Sequence, residues 1–276
     1  AHDSRRSGQS RINGPKEVTD FWKAEAPAAF VINIGATVTH KGAFFGSWGL
    51  LRNDSLGRDV RFWDKSDGKL YGLDIRDGQS LWGGALDLDV VHRCYQFENR
   101  QRTGDDLLWC GISPYHASFY NGTVEGQPAF DAERNVLYVG RGDGKLFAVD
   151  PDAGQIKWRF ETFNPQLADD PDGGGEIVSA PVLGPDGTIY CATWGIGPYE
   201  TNAFYAINPD STLLWRFPAD SSLTGKPIFS SPAISPDQST IYFGSFFAND
   251  RDTPGTLYAL NLSPQTAVAD DQRVIV

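Results

Sequence analysis

The chain contains nearly the same 15 residues twice. Residues 68–82 read GKLYGLDIRDGQSLW and residues 144–158 read GKLFAVDPDAGQIKW, so both copies begin with Gly-Lys-Leu-aromatic and end with Trp. Shorter copies follow at residues 203–215 (AFYAINPDSTLLW) and 256–261 (TLYALN). Copies spaced by tens of residues are typical of proteins in which small similar units stack on one another. The sequence therefore predicts four structural repeats.

The copies share one frame, and the fourth copy contains only its first part: an aromatic residue, a small residue, an aliphatic residue, Asp or Asn, a turn, and a strand that ends in Trp. The aromatic place is held by Tyr71, Phe147, Tyr205 and Tyr258, the Asp or Asn place by Asp74, Asp150, Asn208 and Asn261, and the Trp place by Trp82, Trp158 and Trp215. An Asp or Asn side chain can accept a hydrogen bond from the backbone two residues later. A glycine before the last strand, at Gly78 and Gly154, permits a positive φ.

A second shared element precedes each copy, at residues 33–49, 126–144, 179–195 and 230–246. Each reads as a short strand, a tight turn and an alternating strand, which is the signature of a β-hairpin. Each repeat thus predicts four antiparallel strands, and such a sheet buries both faces only when further sheets cover it. The predicted fold class is all-β, a β-propeller with four recognisable four-stranded blades and a candidate degenerate fifth.

One family shares this frame. Residues 148–158, AVDPDAGQIKW, resemble the tryptophan-docking repeat of the pyrroloquinoline-quinone-type β-propellers, and residues 2–15 resemble the leader before the first blade of extracytoplasmic members. The family includes quinone-dependent alcohol dehydrogenases and cofactor-free scaffolds, such as the bacterial outer-membrane assembly lipoprotein propeller. The resemblance implies the fold and an extracytoplasmic location, whereas the repeat alone does not imply quinone binding.

The domain organisation follows from the repeats. Residues 1–276 are expected to form one propeller domain or part of one, and the start without Met indicates a mature chain after signal cleavage or a fragment. The segment 83–125 departs from the repeat and is either a divergent insertion or a degenerate blade. Both interpretations remain open at this point.

Residues 1–25 are interpreted as a leader and a closing strand. The fourth repeat ends without a Trp, whereas Trp22 lies in TDFWKAE, which resembles IKWRFET at residues 156–162. The strand around Trp22 is therefore expected to pair with the strand around Tyr258. Such pairing would close the ring without an open sheet edge.

Quinone-dependent relatives, by resemblance, carry two adjacent cysteines over the cofactor, a Ca²⁺ site and an Asp base. Cys94, Cys110 and Cys191 are far apart in sequence. The expectation is therefore no catalytic residue and no cofactor, with pyrroloquinoline quinone and Ca²⁺ as the alternative. Carboxylates near flexible glycines can hold Ca²⁺, and the weak candidates, more simply explained as a solvated loop, are Asp169, Asp170, Asp172 and Glu176.

Several other residues have candidate roles. Cys94 and Cys110 could form a disulfide, whereas Cys191 is expected to be a buried free thiol. Asn53 and Asn121 begin Asn-X-Ser/Thr triplets and are candidate glycosylation sites. Aromatic side chains in the divergent segment are either a contact surface or the core of a degenerate blade: Trp109, Tyr115, Phe119 and Tyr120.

The net charge and the lengths of the apolar runs limit the classes of function that the sequence allows. A formal net charge of −11 disfavours nucleic acid as a partner, and no apolar run approaches the ~20 residues of a membrane span. The predicted function is a non-catalytic extracytoplasmic propeller that binds or scaffolds protein partners in a larger assembly. Two alternatives stay open: a quinone-dependent alcohol dehydrogenase-like oxidoreductase or its degenerate relative, and a glycosylated extracellular structural subunit.

Overall fold

The computed structural model of the chain describes residues 22–24, 35–47, 68–88, 123–142, 144–162, 175–194, 202–218, 226–245 and 255–262. Within these residues all regular structure is β-strand, arranged as four antiparallel sheets without a helix. Strands that are consecutive in sequence are neighbours in each sheet, so every sheet is a meander. Such a meander needs only short turns, as the four hairpin-rich repeats predict.

We call the four sheets units 1 to 4. Unit 1 consists of β1 (Thr37–Val38), β2 (Gly42–Gly46), β3 (Lys69–Asp74) and β4 (Leu86–Asp87). Unit 2 consists of β5 (Ala129–Asp131), β6 (Val136–Gly140), β7 (Lys145–Asp150) and β8 (Gln155–Glu161). Unit 3 consists of β9 (Val182–Leu183), β10 (Ile189–Ala192), β11 (Phe204–Ile207) and β12 (Leu213–Phe217). Unit 4 consists of β13 (Ala233–Ile234), β14 (Thr240–Ser245) and β15 (Thr256–Asn261), so it has three strands within the described residues.

Successive units are held together face to face by three hydrophobic cores. One core joins units 1 and 2, a second joins units 2 and 3, and a third joins units 3 and 4. Burying one large apolar side chain in such a core contributes about 1.5–3 kcal/mol. Consecutive meander sheets stacked in this way are the blades of a β-propeller, and the predicted fold class is confirmed.

The central strands of unit 3 have both faces buried. In β10, Ile189 and Cys191 face unit 2, whereas Tyr190 and Ala192 face unit 4. Successive side chains point to opposite faces of a strand. Neighbouring residues of β10 therefore lie in two different cores, and neither face of the strand is open to solvent.

The turn after the third strand has the predicted form in units 1 and 2. The carboxylate Oδ1 of Asp150 accepts the backbone N–H of Asp152 at 2.9 Å, and Gly154 has a φ of 63°. Unit 3 differs because its turn is one residue shorter. There the positive φ falls on Ser211, and Asp210 Oδ1 accepts the backbone N–H of Thr212 at 3.0 Å, the role predicted for Asn208.

The ends of the divergent segment 83–125 belong to the propeller. Leu86 and Asp87 form β4, and Leu88 and Val124 are fully buried in the core between units 1 and 2. Residues 89–122 lie outside the described part of the chain. The choice between an insertion and a degenerate blade for that part stays a prediction.

Candidate functional site

Tryptophan side chains connect neighbouring units through one repeated hydrogen bond. Each indole Nε1–H donates to the backbone carbonyl of the residue that follows the turn Asp or Asn of the next unit. The three donor–acceptor pairs are Trp22 to Ile75 at 2.9 Å, Trp82 to Pro151 at 3.0 Å, and Trp158 to Pro209 at 3.0 Å. A buried indole usually needs such a partner. We call the acceptor carbonyl, with the turn that carries it, the docking site of each Trp.

A bulge in the backbone orients the side chains of Trp158 and Trp215. A register shift between Ala148 and Val149 places Trp158 opposite Ala148, and the same shift in unit 3 places Trp215 opposite Ala206. A bulge of this kind inserts one residue and redirects the next side chain. Trp82 lies in a turn, because β4 begins only at Leu86. The sequence predicted a strand at this position.

Trp82, Trp158 and Trp215 also contact an aromatic ring on the second strand of their own unit. The ring centroids are 5.7 Å apart for Phe44 and Trp82, 5.6 Å for Tyr138 and Trp158, and 5.9 Å for Tyr190 and Trp215. These distances lie within the range of favourable aromatic pairs. The corresponding ring of unit 4 is Tyr242, because it pairs with Ala259 in the register that joins Tyr138 to Ala148.

Trp22 and Tyr242 are the two members of this pattern that have no ring partner within the described residues. The exposed fraction is 39% for Trp22 and 40% for Tyr242. Trp22 lies on the turn of unit 1, where the carbons of its indole approach Gly78. The expected pairing of this segment with the strand around Tyr258 stays a prediction.

Three of the four weak metal candidates fall outside the described part of the chain, so their interpretation as a solvated loop or a Ca²⁺ site stays a prediction. The three are Asp169, Asp170 and Asp172, whereas Glu176 is buried where its backbone pairs with Trp194 through N–H to O bonds of 2.8 and 2.7 Å. Among the described residues no group of three or more His, Cys, Asp or Glu side chains could hold a metal ion.

Cys191 is a free, fully buried cysteine in the core between units 2 and 3, as the sequence predicts. Burial raises the pKa of its thiol to about 12, so the thiolate needed for nucleophilic chemistry does not form near neutral pH. The remaining predicted positions lie outside the described residues: Cys94, Cys110, Asn53, Asn121, Trp109, Tyr115, Phe119 and Tyr120.

A buried arginine, which the sequence reasoning missed, directly follows the second strand of unit 2. The guanidinium carbon of Arg141 lies 4.9 Å from the centroid of the Phe147 ring, a cation–π geometry. The carbonyl of Arg141 accepts the backbone N–H of Ile177 at 3.1 Å. The signal in the sequence is that the other three repeats have Ser or Thr at this place, namely Ser47, Thr193 and Ser245. These contacts give Arg141 a role in packing.

Two neighbouring leucines on β12 are exposed at the surface. Leu213 and Leu214 are adjacent, and the exposed fraction of Leu214 is 49%. Leu214 is the inserted residue of the bulge before Trp215, and the corresponding residue of unit 2 is the exposed Lys157. We call Leu213 and Leu214 the β12 leucine pair. It was missed from sequence because two leucines in a strand are normally interpreted as core.

Comparison with known families decides the relationship. The family model described as outer membrane protein assembly factor BamB matches residues 67–264, which include most of the four units. The chain belongs to this family. Its repeats are thus the propeller repeats of the BamB family, and the resemblance inferred from residues 148–158 is confirmed.

Solved structures with a similar fold include BamB and quinohemoprotein enzymes. BamB from Moraxella catarrhalis is 14% identical with a TM-score of 0.46, and the match covers 84% of this chain and 50% of that chain. Quinohemoprotein alcohol dehydrogenase from Comamonas testosteroni is 14% identical with a TM-score of 0.51, and the match covers 79% of this chain and 29% of that chain. The quinohemoprotein alcohol dehydrogenase ADHIIG from Pseudomonas putida HK5 is 16% identical with a TM-score of 0.48, covering 77% and 28%.

These similarities concern the fold alone, and the chain spans half or less of the length of each of these proteins. No curated protein matches the chain in sequence. Within the described residues, no helix has the length and apolar character required to cross a bilayer.

Proposed function

We propose that this chain is a non-catalytic extracytoplasmic propeller that binds protein partners within a larger assembly. The observation that carries the proposal is the β12 leucine pair, an apolar surface on the outer strand of a blade. Membership of a family described as an outer membrane protein assembly factor supports an assembly role and the location. The leader-like residues 2–15 also support the location.

The geometry of β12 suits protein contact. It is the last strand of its sheet, so within the described residues its outer edge pairs with no other strand. Exposed sheet edges and adjacent apolar side chains are used to bind extended segments of other proteins. The net charge of −11 favours partner surfaces that carry positive charge.

Site-specific photo-crosslinking in the native organism tests the proposal. A photo-reactive amino acid at Leu213 is expected to give one defined protein adduct. Leu214→Lys should reduce the yield of that adduct, because lysine restores the residue found in unit 2 and removes the apolar contact. Lys157→Leu is the matched control and should leave the yield unchanged. Unreduced yield with Leu214→Lys, or no adduct at position 213, would contradict the proposed surface.

The oxidoreductase alternative is supported only by the similarity of the fold to quinohemoprotein alcohol dehydrogenase. The cysteines at 94, 110 and 191 are not adjacent, and Cys191 is closed inside a core, so the residues present do not supply the cover of a quinone. The described acidic residues supply no ligand group for Ca²⁺. Because the cysteine spacing and the described residues do not fit the cofactor, no chemical step is assigned to it.

The third alternative, a glycosylated extracellular structural subunit, depends on Asn53 and Asn121. Both lie outside the described residues. The mass of the native chain before and after glycosidase treatment distinguishes this alternative from the proposed scaffold.

A further inference from the structure

The outermost strands of units 2 and 3 differ in the side chains that they present to solvent. In β8 the exposed residues are charged, because Lys157 pairs with Asp150 at 3.2 Å and Arg159 pairs with Glu161 at 3.3 Å. Charged side chains on an edge strand, lysine above all, oppose pairing with a strand of another chain. The outer strand of unit 2 is therefore protected against strand addition.

The outer strand of unit 3 has a different composition. The residue of β12 that corresponds to Lys157 is Leu214, and the exposed fraction is 47% for Leu213 and 49% for Leu214. The one basic residue of β12 is Arg216, whose guanidinium carbon lies 5.8 Å from the centroid of the Tyr205 ring. In its first half β12 therefore presents apolar surface where β8 presents a charged pair.

A fixed negative charge lies just before β12. Asp210 is exposed, and its Oδ1 accepts the hydroxyl of Thr212 at 2.6 Å and the backbone N–H of Thr212 at 3.0 Å. These hydrogen bonds lower the pKa of Asp210, so its carboxylate is ionised at neutral pH. The corresponding Asp152 of unit 2 binds Lys41 Nζ at 2.5 Å and Asn135 Nδ2 at 2.9 Å. Unit 2 thus shows that this position of the repeat can bind a lysine ammonium.

The carboxylate of Asp210 and the β12 leucine pair lie close together along the chain. Leu214 follows Asp210 by four residues, which span about 14 Å when fully extended. One extended segment of about five residues can therefore contact the carboxylate and both leucines. A helix would need an apolar groove, whereas these leucines lie on the outermost strand of unit 3. The geometry therefore favours an extended segment as the occupant.

We propose, building on the proposed function of this surface, that the partner protein supplies an extended segment that pairs with the edge of β12. A lysine or arginine of that segment binds Asp210, and its apolar side chains pack on the β12 leucine pair. Main-chain hydrogen bonds to β12 supply affinity, whereas the two side-chain contacts select the segment. The net charge of −11 disfavours an acidic segment at the same edge.

Backbone methylation of the bound segment tests the binding mode. The segment is identified by mass spectrometry of the adduct at Leu213 and synthesised as a peptide. Two further peptides are N-methylated at alternate amides, one at odd and one at even positions, because alternate residues of a strand direct their N–H groups to opposite edges. In fluorescence anisotropy with the purified chain, one methylated peptide should bind as tightly as the unmodified peptide. The other should bind about tenfold more weakly, because it loses several hydrogen bonds.

A single substitution tests the charge contact. Asp210→Asn keeps the oxygen that accepts the Thr212 hydrogen bonds and removes the negative charge. It should weaken binding of the unmodified peptide by about threefold at low salt, as for an exposed ion pair. The difference should disappear at high salt because exposed charges are screened. Asp237→Asn is the matched control and should leave the affinity unchanged, since Asp237 accepts the backbone N–H of Ser239 in a turn of unit 4.

The possible outcomes separate this proposal from the proposed function. No adduct at position 213 would overturn both. An adduct whose two methylated peptides lose affinity equally, or whose peptide binds as a helix by circular dichroism, would overturn strand addition alone. A segment without lysine or arginine, or an affinity that Asp210→Asn leaves unchanged at low salt, would overturn the contact with Asp210.

Discussion

At the scale of single residues, Trp82 and Trp158 each combine three stabilising contributions at one place. Trp158 donates a hydrogen bond to Pro209, contacts the Tyr138 ring and packs against the core between units 2 and 3. Within the described residues, Trp22 makes only the first of these contacts, together with its approach to Gly78. Equivalent positions in the repeat should therefore differ widely in their contribution to stability.

Replacing the two tryptophans measures this difference. Trp158→Ala should lower the free energy of unfolding by about 3 kcal/mol, because it removes a packed aromatic ring. Trp22→Ala should lower it by less than about 1 kcal/mol, because its ring is partly exposed. Denaturant unfolding of both variants provides the measurement, and Trp158→Phe should recover most of the loss. Equal losses for the two alanine variants would contradict the assignment.

Buried tyrosines make the fold sensitive to alkaline pH. Burial raises the pKa of Tyr138, Tyr190 and Tyr205 to about 12, from an ordinary value of 10. Between pH 10 and 12 the unfolded chain therefore loses these protons while the folded chain keeps them. Stability is unaffected by these groups below pH 10 and falls as the pH rises above it.

The measurement is the melting temperature from pH 8 to pH 12, with tyrosinate absorbance followed in parallel. Tyr205→Phe should flatten the decline, and it is a conservative change because the buried Tyr205 hydroxyl has no hydrogen-bond partner among the described residues. A melting temperature that stays constant to pH 12 would show that these hydroxyls are open to solvent.

At the scale of elements, the third turn of each unit is shaped by the Trp that lies on it. A Cβ added at Gly154 would lie 2.5 Å from Cγ of Trp82, and one at Gly78 would lie 2.5 Å from Cε3 of Trp22. Both glycines also have positive φ. The glycine is thus required twice, once for the backbone conformation and once for the close approach of the indole.

A pair of substitutions separates these two requirements. Gly154 and Gly83 have φ values of 63° and 72°, but a Cβ at Gly83 would meet nothing within 4 Å. Gly83→Ala should therefore lower the free energy of unfolding by about 1 kcal/mol through the backbone alone. Gly154→Ala should lower it by roughly 1–3 kcal/mol more, because the methyl group displaces Trp82. Chemical denaturation measures both losses in the free energy of unfolding. Equal losses would contradict the close packing of Trp82 on Gly154.

The elements were largely predictable from the sequence because the repeat fixes turn and strand positions together. The glycines at 78 and 154 and the strand that carries Trp158 follow from the repeat frame. The turn of unit 3 was not predicted, since one missing residue moves the positive φ to Ser211. The turn that carries Trp82 was missed for a related reason, because the repeat frame does not show where pairing with β3 resumes.

At the scale of the whole molecule, the site was harder to predict than the fold. The expected contact residues, such as Trp109 and Tyr120, fall outside the described residues. The β12 leucine pair emerged only once the sheet showed which strand lies at the outer edge. Sequence pattern reports that a residue is apolar, whereas exposure depends on which neighbouring unit covers it.

The oxidoreductase alternative belongs to the same scale, and for it we expect no quinone binding. A planar quinone needs an aromatic floor, a covering group and a cation that polarises its reactive carbonyl. Aromatic rings are plentiful, but Cys191 is buried and its neighbours in sequence are not cysteines. The described acidic side chains form no ligand group for the cation.

Titration of the native chain with pyrroloquinoline quinone and Ca²⁺, followed by cofactor absorbance, should therefore show no saturable binding. Dye reduction with simple alcohols should remain at the rate of the protein-free solution. The quinohemoprotein alcohol dehydrogenase from Comamonas testosteroni, prepared in the same buffer, is the positive control because its fold is similar and its name states the activity. Saturable binding, or alcohol-dependent dye reduction above the protein-free rate, would show that residues outside the described ranges build the missing cover and cation site. The non-catalytic assignment would then be wrong.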